Sequence, residues 1–262
     1  MFLQCRASIL KHKARINPVN PIILIPARMA STRLPGKPML RIAGRPMILH
    51  VLDRARAANI APIAVACAEQ EVFDAVTADG GTAVMTDPDL PSGSDRVNQA
   101  LDLLDPFGSY DVVINLQGDL PTLPPAMLSD VLAPLTDTSF DLATLVAPIT
   151  SAAEAASNSV VKAVCGFRTG AAVAPALYFS RTAVPWGDGP LWHHIGIYAW
   201  RRAALARFVA LPEGVLEQRE KLEQLRALEA GMRIACARAD HAPFGVDTPA
   251  DLERARGTIE GI

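Results

Sequence analysis

Apolar and polar positions follow two rhythms along this chain. In the first half, short apolar runs at Ile22–Ile25, Ile63–Cys67, Thr82–Met85 and Asp111–Leu116 read as buried strands. Between them the apolar period lengthens to that of a helix. Pro46 opens one helix, with Met47, Val51, Leu52 and Ala55 on one face; a second runs around Val72–Ala78 and stops at Gly80-Gly81. A third passes through Val97, Leu101 and Leu104 after the loop Pro91-Ser92-Gly93-Ser94-Asp95-Arg96. Strand and helix in alternation predict an α/β fold, with a mostly parallel central sheet and helices on both faces. After residue 140 the rhythm changes. Asp141–Ile149, Val160–Phe167, Ala176–Ser180 and Ile195–Trp200 are strand-like with little helix between them, and predict a smaller β-rich insertion over about 140–215. Leu216–Ala230 predicts one amphipathic helix, with Leu222, Leu225 and Leu228 inward. A strand at Ile234–Ala237 and a helix from Pro249 end the pattern, so residues 21–262 read as one domain.

Half of the 262 residues are hydrophobic, ample for one sizeable core. The formal net charge of -2 argues against a nucleic-acid partner, so any basic site must be local. Cys5, Cys67, Cys165 and Cys236 show no CxxC spacing, which points to free thiols in a reducing compartment and to no structural zinc. No apolar stretch is long enough to cross a bilayer, so no membrane partner is expected. Residues 1–20 are basic and lack the apolar centre of a secretory signal; they are expected to form a flexible extension.

The candidate chemistry begins where the first strand ends. Arg28, Arg33 and Lys37 lie in a loop with little bulk, Ile22-Ile23-Leu24-Ile25-Pro26-Ala27-Arg28 leading into Ser31-Thr32-Arg33-Leu34-Pro35-Gly36-Lys37-Pro38. Loops at the carboxyl edge of such sheets bind ligands, and these cations suit phosphate oxygens. The loop is not a Walker A motif, because Lys37 is followed by proline. By composition alone a solvated basic turn is the more frequent outcome. Asp119, in Asn115-Leu116-Gln117-Gly118-Asp119-Leu120-Pro121, follows a buried strand and so sits at the same edge. It reads either as an ion-pair partner for the loop or as a Mg²⁺ ligand. Asp247, before Thr248-Pro249, reads locally as part of a helix cap.

The exact run Pro-Ala-Arg-x-x-Ser-Thr-Arg-Leu-Pro-Gly-Lys-Pro resembles the nucleotide-binding signature of sugar nucleotidyltransferases, most closely the 3-deoxy-manno-octulosonate (KDO) cytidylyltransferases. Further segments resemble that family in order: Ser92-Gly93-Ser94-Asp95-Arg96, Gln117-Gly118-Asp119, Tyr178-Phe179-Ser180-Arg181, His193-His194-Ile195-Gly196-Ile197-Tyr198, Leu222-Glu223-Gln224-Leu225-Arg226 and Gly245-Val246-Asp247-Thr248-Pro249. The resemblance implies a Rossmann-like three-layer nucleotidyltransferase fold and a cytoplasmic homodimer. The implied reaction joins CTP to an acidic eight-carbon sugar, with release of pyrophosphate, in lipopolysaccharide synthesis. It implies that Ala27, Arg28, Ser31, Lys37, Ser92, Gly93 and Arg96 meet the nucleotide. Asp119 and Asp247 would hold Mg²⁺ and, with Arg28 and Lys37, form the catalytic set. Arg33, Gln117, Arg181, His194, Tyr198, Glu223 and Gln224 would face the sugar; of the loop's three cations Arg33 has the weakest claim on the phosphates. The β-rich portion would serve sugar binding and dimerisation. No residue is an obvious general base, and metal activation of the sugar hydroxyl is the expectation. Two positions depart from the family pattern. Leu120 stands where a glutamate is common, and Ala68 where a polar residue is common. A different acidic sugar, or a non-catalytic binding role, are the alternatives.

Overall fold

A computed structural model describes residues 19–31 and 33–261. Most of the basic extension expected at residues 1–20, with Cys5, lies outside the described residues. The elements run in chain order as β1 (Pro21–Ala27), β2 (Arg41–Ile42), β3 (Arg45–Pro46), α1 (Met47–Ala58), β4 (Ile63–Cys67), α2 (Gln70–Ala78), β5 (Ala83–Met85), α3 (Gly93–Leu104), β6 (Val112–Asn115) and α4 (Ala126–Leu132). They continue as β7 (Leu142–Pro148), α5 (Ala152–Ala156), β8 (Lys162–Cys165), β9 (Val173–Ser180), β10 (Trp192–Arg201), α6 (Arg202–Val209), α7 (Val215–Glu220), α8 (Gln224–Glu229), β11 (Ile234–Arg238) and α9 (Pro249–Glu260).

One nine-stranded sheet, ordered β5-β4-β1-β6-β10-β7-β11-β9-β8, forms the middle layer. Successive residues of β1 point to opposite faces. Ile23 and Ile25 join a core with Leu49 of α1, Val72 of α2 and Met127 of α4. Ile22 and Leu24 join a second core with Val97 of α3, Leu205 of α6 and Leu225 of α8. Each such side chain contributes about 1.5–3 kcal/mol when fully buried. The result is three layers, as expected.

The mostly parallel sheet expected from the strand–helix rhythm is corrected to a mixed one. β5, β4, β1 and β6 are parallel, but β10 enters antiparallel to both β6 and β7, and β9 runs antiparallel to β11 and β8. The reason lies in the connections. β9 reverses directly on β8 with no crossover helix between them, and the connection after Ser180 carries the chain back so that β10 runs in the same sense as β9 and antiparallel to β8. The strands after residue 140 extend the same sheet and do not form a separate one.

The single helix expected over Leu216–Ala230 is corrected to two. Lys221 adopts a left-handed conformation (φ 56°) and breaks the run. Arg226 folds α8 back on α7 by donating two hydrogen bonds to Glu217, at 2.8 and 2.6 Å. Glu229 then accepts from the main-chain N–H groups of Leu216 and Glu217 at the start of α7. A third, smaller core of Leu34, Ile42, Met47, Val246, Leu252 and Ala255 packs the basic loop against α9. It brings two segments some 210 positions apart in sequence to one point.

Candidate active site

The carboxyl ends of β1 and β6 lie side by side, because Pro21–Leu24 pair with Val112–Asn115. Gly118 follows β6, and a Cβ there would stand 2.9 Å from the Pro26 carbonyl oxygen, so only glycine allows this approach. Gly36, at φ 69°, turns the basic loop into a short 3-10 helix over Lys37–Met39. That turn aims Lys37 inward. Its ammonium donates to Asp119 Oδ2 at 2.8 Å and to Asp247 Oδ1 at 3.0 Å. Arg33 reaches the other oxygen of Asp247 at 3.0 Å. Burial pulls the Lys37 pKa down, but the two aspartates outweigh it, and the value stands above the ordinary one. Asp247 is not the helix cap: Thr248 and Asp251 form a capping box at α9 and leave the Asp247 side chain to Lys37 and Arg33. The main chain adds to this joint, with Val246 N–H donating to the Asp119 carbonyl at 2.9 Å.

Above these groups opens a cavity of about 350 Å³. Of the predicted residues, Ala27, Arg28, Ser31, Arg33, Lys37, Gly93, Arg96, Gln117, Asp119 and Asp247 line it. A cavity walled by cations, with two carboxylates at one end, suits a polyphosphate and a divalent ion. The donor set fits Mg²⁺: two hard carboxylates already converge on one cationic nitrogen, and Mg²⁺ takes its other ligands from phosphates and water. Among the described residues no group of three or more His, Cys, Asp or Glu side chains could hold a metal. Arg96 is almost wholly buried and donates to Thr86 Oγ1 and to the carbonyls of Asp87 and Pro88. Its geometry shapes the wall of the cavity. Ser31 Oγ accepts from Leu34 N–H and so holds the turn.

A second cavity of about 500 Å³ shares Arg28 and Gly93 with the first. Ser92 and Glu223 line it, and Ser94 Oγ donates to Glu223 Oε2 at 3.0 Å, tying α3 to the turn before α8. Glu223 Oε1 and Gln224 Nε2 are buried without a hydrogen-bond partner. Such groups are costly unless a ligand satisfies them. Burial pushes the Glu223 carboxyl above its usual range, against the Ser94 bond.

His194, Tyr198, Gln224 and Arg181 line neither cavity. His194 and Tyr198 flank a bulge in β10, where the pairing with β7 slips between Ile195 and Tyr198. Thr144 Oγ1 fills the bulge, lying 2.9 Å from the carbonyl oxygens of both Ile195 and Ile197, which share its one proton, and 3.0 Å from His194 Nε2. Burial, with His193 adding, lowers the His194 pKa to about 3, so the ring is neutral near pH 7. Burial also pushes the Tyr198 phenol well up, with Glu223 and Cys236 adding to it. The adjacent His193 turns to the other face and meets Glu154 at 2.8 Å. Arg181 donates to three main-chain carbonyls, those of Glu220, Asn158 and Lys221.

Several structural partners had no signal in the sequence. Glu69 accepts from Met29 N–H at 3.0 Å and braces the basic loop. Thr144 and Glu220 are likewise ordinary residues in ordinary runs. The two departures from the family pattern are buried. Leu120 packs into the core beside Leu123 and Met127, so in this chain the position is structural. Ala68 donates its N–H to the Ala27 carbonyl at 3.1 Å and adds no polar side chain.

A cytidylyltransferase family model matches residues 22–234. The 3-deoxy-manno-octulosonate cytidylyltransferase of Paramagnetospirillum magneticum is 61% identical over 92% of this chain and 98% of its own length. That of Rhodospirillum centenum is 59% identical over 93% and 95%. A solved structure of CMP:2-keto-3-deoxy-manno-octonic acid synthetase complexed with CTP is 42% identical, with a TM-score of 0.85 over 92% of this chain and 99% of that one. The 4-diphosphocytidyl-2C-methyl-D-erythritol synthase of Anaerococcus prevotii, 12% identical with a TM-score of 0.63, shares the fold. With most of its length aligned to these proteins, the chain belongs to the 3-deoxy-manno-octulosonate cytidylyltransferase family.

Proposed function

We propose that this protein transfers CMP from CTP to 3-deoxy-D-manno-octulosonate, releasing pyrophosphate. The observation that carries the reading is the convergence of Lys37, Asp119 and Asp247 in one cavity with Arg28. Arg28 and Lys37 bind the triphosphate and stabilise the charge that develops on it as the anomeric hydroxyl attacks the α-phosphate in line. Asp119 and Asp247 would hold Mg²⁺, which would supply neutralisation of phosphate charge. Lys37, which pairs with both aspartates, lines the same cavity and can donate to phosphate oxygens there. Ala27, Gly93 and Gln117 flank the nucleotide end, and Gln117 also reaches toward the sugar. Arg181 meets the acceptor carboxylate, while Tyr198, neutral His194, Glu223 and Gln224 meet its hydroxyls. The unpartnered Glu223 Oε1 and Gln224 Nε2 support this placement.

The fully exposed Trp186 and the exposed Leu177 of β9 support a homodimer formed through the β-rich portion. Free thiols at Cys67, Cys165 and Cys236 suit the cytoplasm, where CTP is made and where lipopolysaccharide precursors would draw on the product. Among the described residues no helix is long and apolar enough to cross a membrane. Pyrophosphate release tests the reading, with CTP or UTP, Mg²⁺, and KDO, an amino analogue of KDO or sialic acid. Release is expected with CTP and KDO and should stop on chelation of the metal. Release only with another pair redirects the substrate, and no release with any pair refutes enzymatic activity.

A further inference from the structure

The acceptor residues come from two places that no sheet pairing joins: Arg181 follows β9, whereas Glu223 and Gln224 sit at the start of α8. Glu220, the last residue of α7, links them. Its Oε1 accepts from Ser180 Oγ at 2.9 Å and from Tyr178 OH at 3.5 Å, and its Oε2 accepts from Arg181 N–H at 3.1 Å. The contact also runs the other way. Arg181 Nε donates to the Glu220 carbonyl at 2.8 Å, and Nη2 donates to the Lys221 carbonyl at 3.2 Å. Lys221 then reverses the chain in its left-handed conformation, and the Glu217–Arg226 pair closes the turn that presents Glu223 and Gln224. Three of the five guanidinium N–H groups of Arg181 are held by carbonyls, which fixes the plane of the fork and leaves two for a ligand.

We propose that Glu220 is a positioning residue for the acceptor: it fixes Arg181 against the Glu223–Gln224 turn and so sets the spacing between the site for the sugar carboxylate and the site for its hydroxyls. It does not itself touch the sugar. The inference rests on the acceptor reading given above for Arg181, Glu223 and Gln224. Its signature is selective. The nucleotide cavity is lined by neither Glu220 nor Arg181, so loss of the joint should weaken sugar binding and spare CTP.

The test measures initial rates of pyrophosphate release with Mg²⁺, varying KDO at saturating CTP and then CTP at saturating KDO. Glu220→Ala removes an ionised acceptor of two short hydrogen bonds, and the KM for KDO should rise on the order of ten- to a hundredfold. The KM for CTP should change less than about twofold, since no bond to Glu220 reaches the phosphates. Glu220→Gln keeps an acceptor oxygen for the Arg181 N–H or the Ser180 hydroxyl and should restore most of the KDO affinity. Ser180→Ala, a smaller change to the same joint, should raise the same KM by a lesser factor, which covers the case in which Glu220→Ala does not fold. An unchanged KM for KDO in Glu220→Ala or, if that variant does not fold, in Ser180→Ala overturns the proposal. So does an equal rise in both KM values. No release by the unaltered chain overturns the activity itself and this inference with it, whereas release that Glu220→Ala leaves intact overturns the inference alone.

Discussion

Replacing Lys37 with methionine keeps the length and most of the apolar stem of the side chain but removes the charge between Asp119 and Asp247. Two charge-assisted hydrogen bonds are lost, at 2.8 and 3.0 Å. Such bonds contribute about 1.5–3 kcal/mol each. Asp119 is 26% exposed and Asp247 42%, so water recovers part of this, and Arg33 still holds one oxygen of Asp247. The two carboxylate oxygens then face each other within about 6 Å, where repulsion at an effective dielectric of 20–40 is about 1–3 kcal/mol. With these discounts the net loss is about 2–3 kcal/mol, or roughly 5–10 °C in Tm for a domain of this size. The same change exposes a dianionic pair to any divalent ion. Thermal unfolding at low salt, with and without Mg²⁺ and without nucleotide, reads both effects. The expected result is a lower Tm for Lys37→Met, together with a larger stabilisation by Mg²⁺ than the unaltered protein shows. Pyrophosphate release should fall on the order of a hundredfold or more, because the lost ammonium acts on developing charge. Equal Mg²⁺ shifts in the two proteins would refute the claim that Lys37 holds the place a metal takes between the aspartates.

Two further predictions concern buried ionisable groups. Burial raises the Glu223 pKa, so the folded state binds that proton more tightly than the unfolded chain; stability is full below the unfolded value near 4.5 and falls as pH rises through the folded value. Glu223→Gln should therefore be more stable than the unaltered protein at pH 7, by denaturant titration, with the gap closing below about pH 4.5, yet it should bind KDO less well. A Glu223→Gln variant that is less stable at pH 7 would contradict this. His194 has the opposite linkage: its pKa falls from 6.5 to about 3 on folding, so its contribution is complete above pH 6.5 and is lost as pH drops toward 3. His194→Gln should flatten the fall in stability between pH 6.5 and 4.5 by about one proton, or ~1.4 kcal/mol per pH unit. Parallel curves for the two proteins would show that the ring is not held neutral.

Much of this molecule was legible in its sequence, for reasons that are local. β1, β4 and β6 are buried on both faces, so they read as unbroken apolar runs; Gly118 marks a close backbone approach and Gly36 a left-handed turn that favours glycine. The basic loop and Asp119 could be assigned to one sheet edge because strand ends in such folds share an edge. Strand direction was not legible. The composition of β10 is the same whichever way it runs, and its antiparallel entry depends on how the connection after β9 brings the chain back. Nor could periodicity find the break at Lys221, which is enforced by Arg226 reaching back to Glu217. Asp247 shows the division most clearly. In its own segment it is a helix cap; tertiary structure gives that task to Thr248 and Asp251 and turns Asp247 toward Lys37, 210 residues away. Which side chains are available to the site follows from residue order alone, since their chemistry does not depend on their surroundings. Only the fold decided which of them meet, because hydrogen bonds and ion pairs act over a few ångströms and close packing of distant segments brings them within that reach.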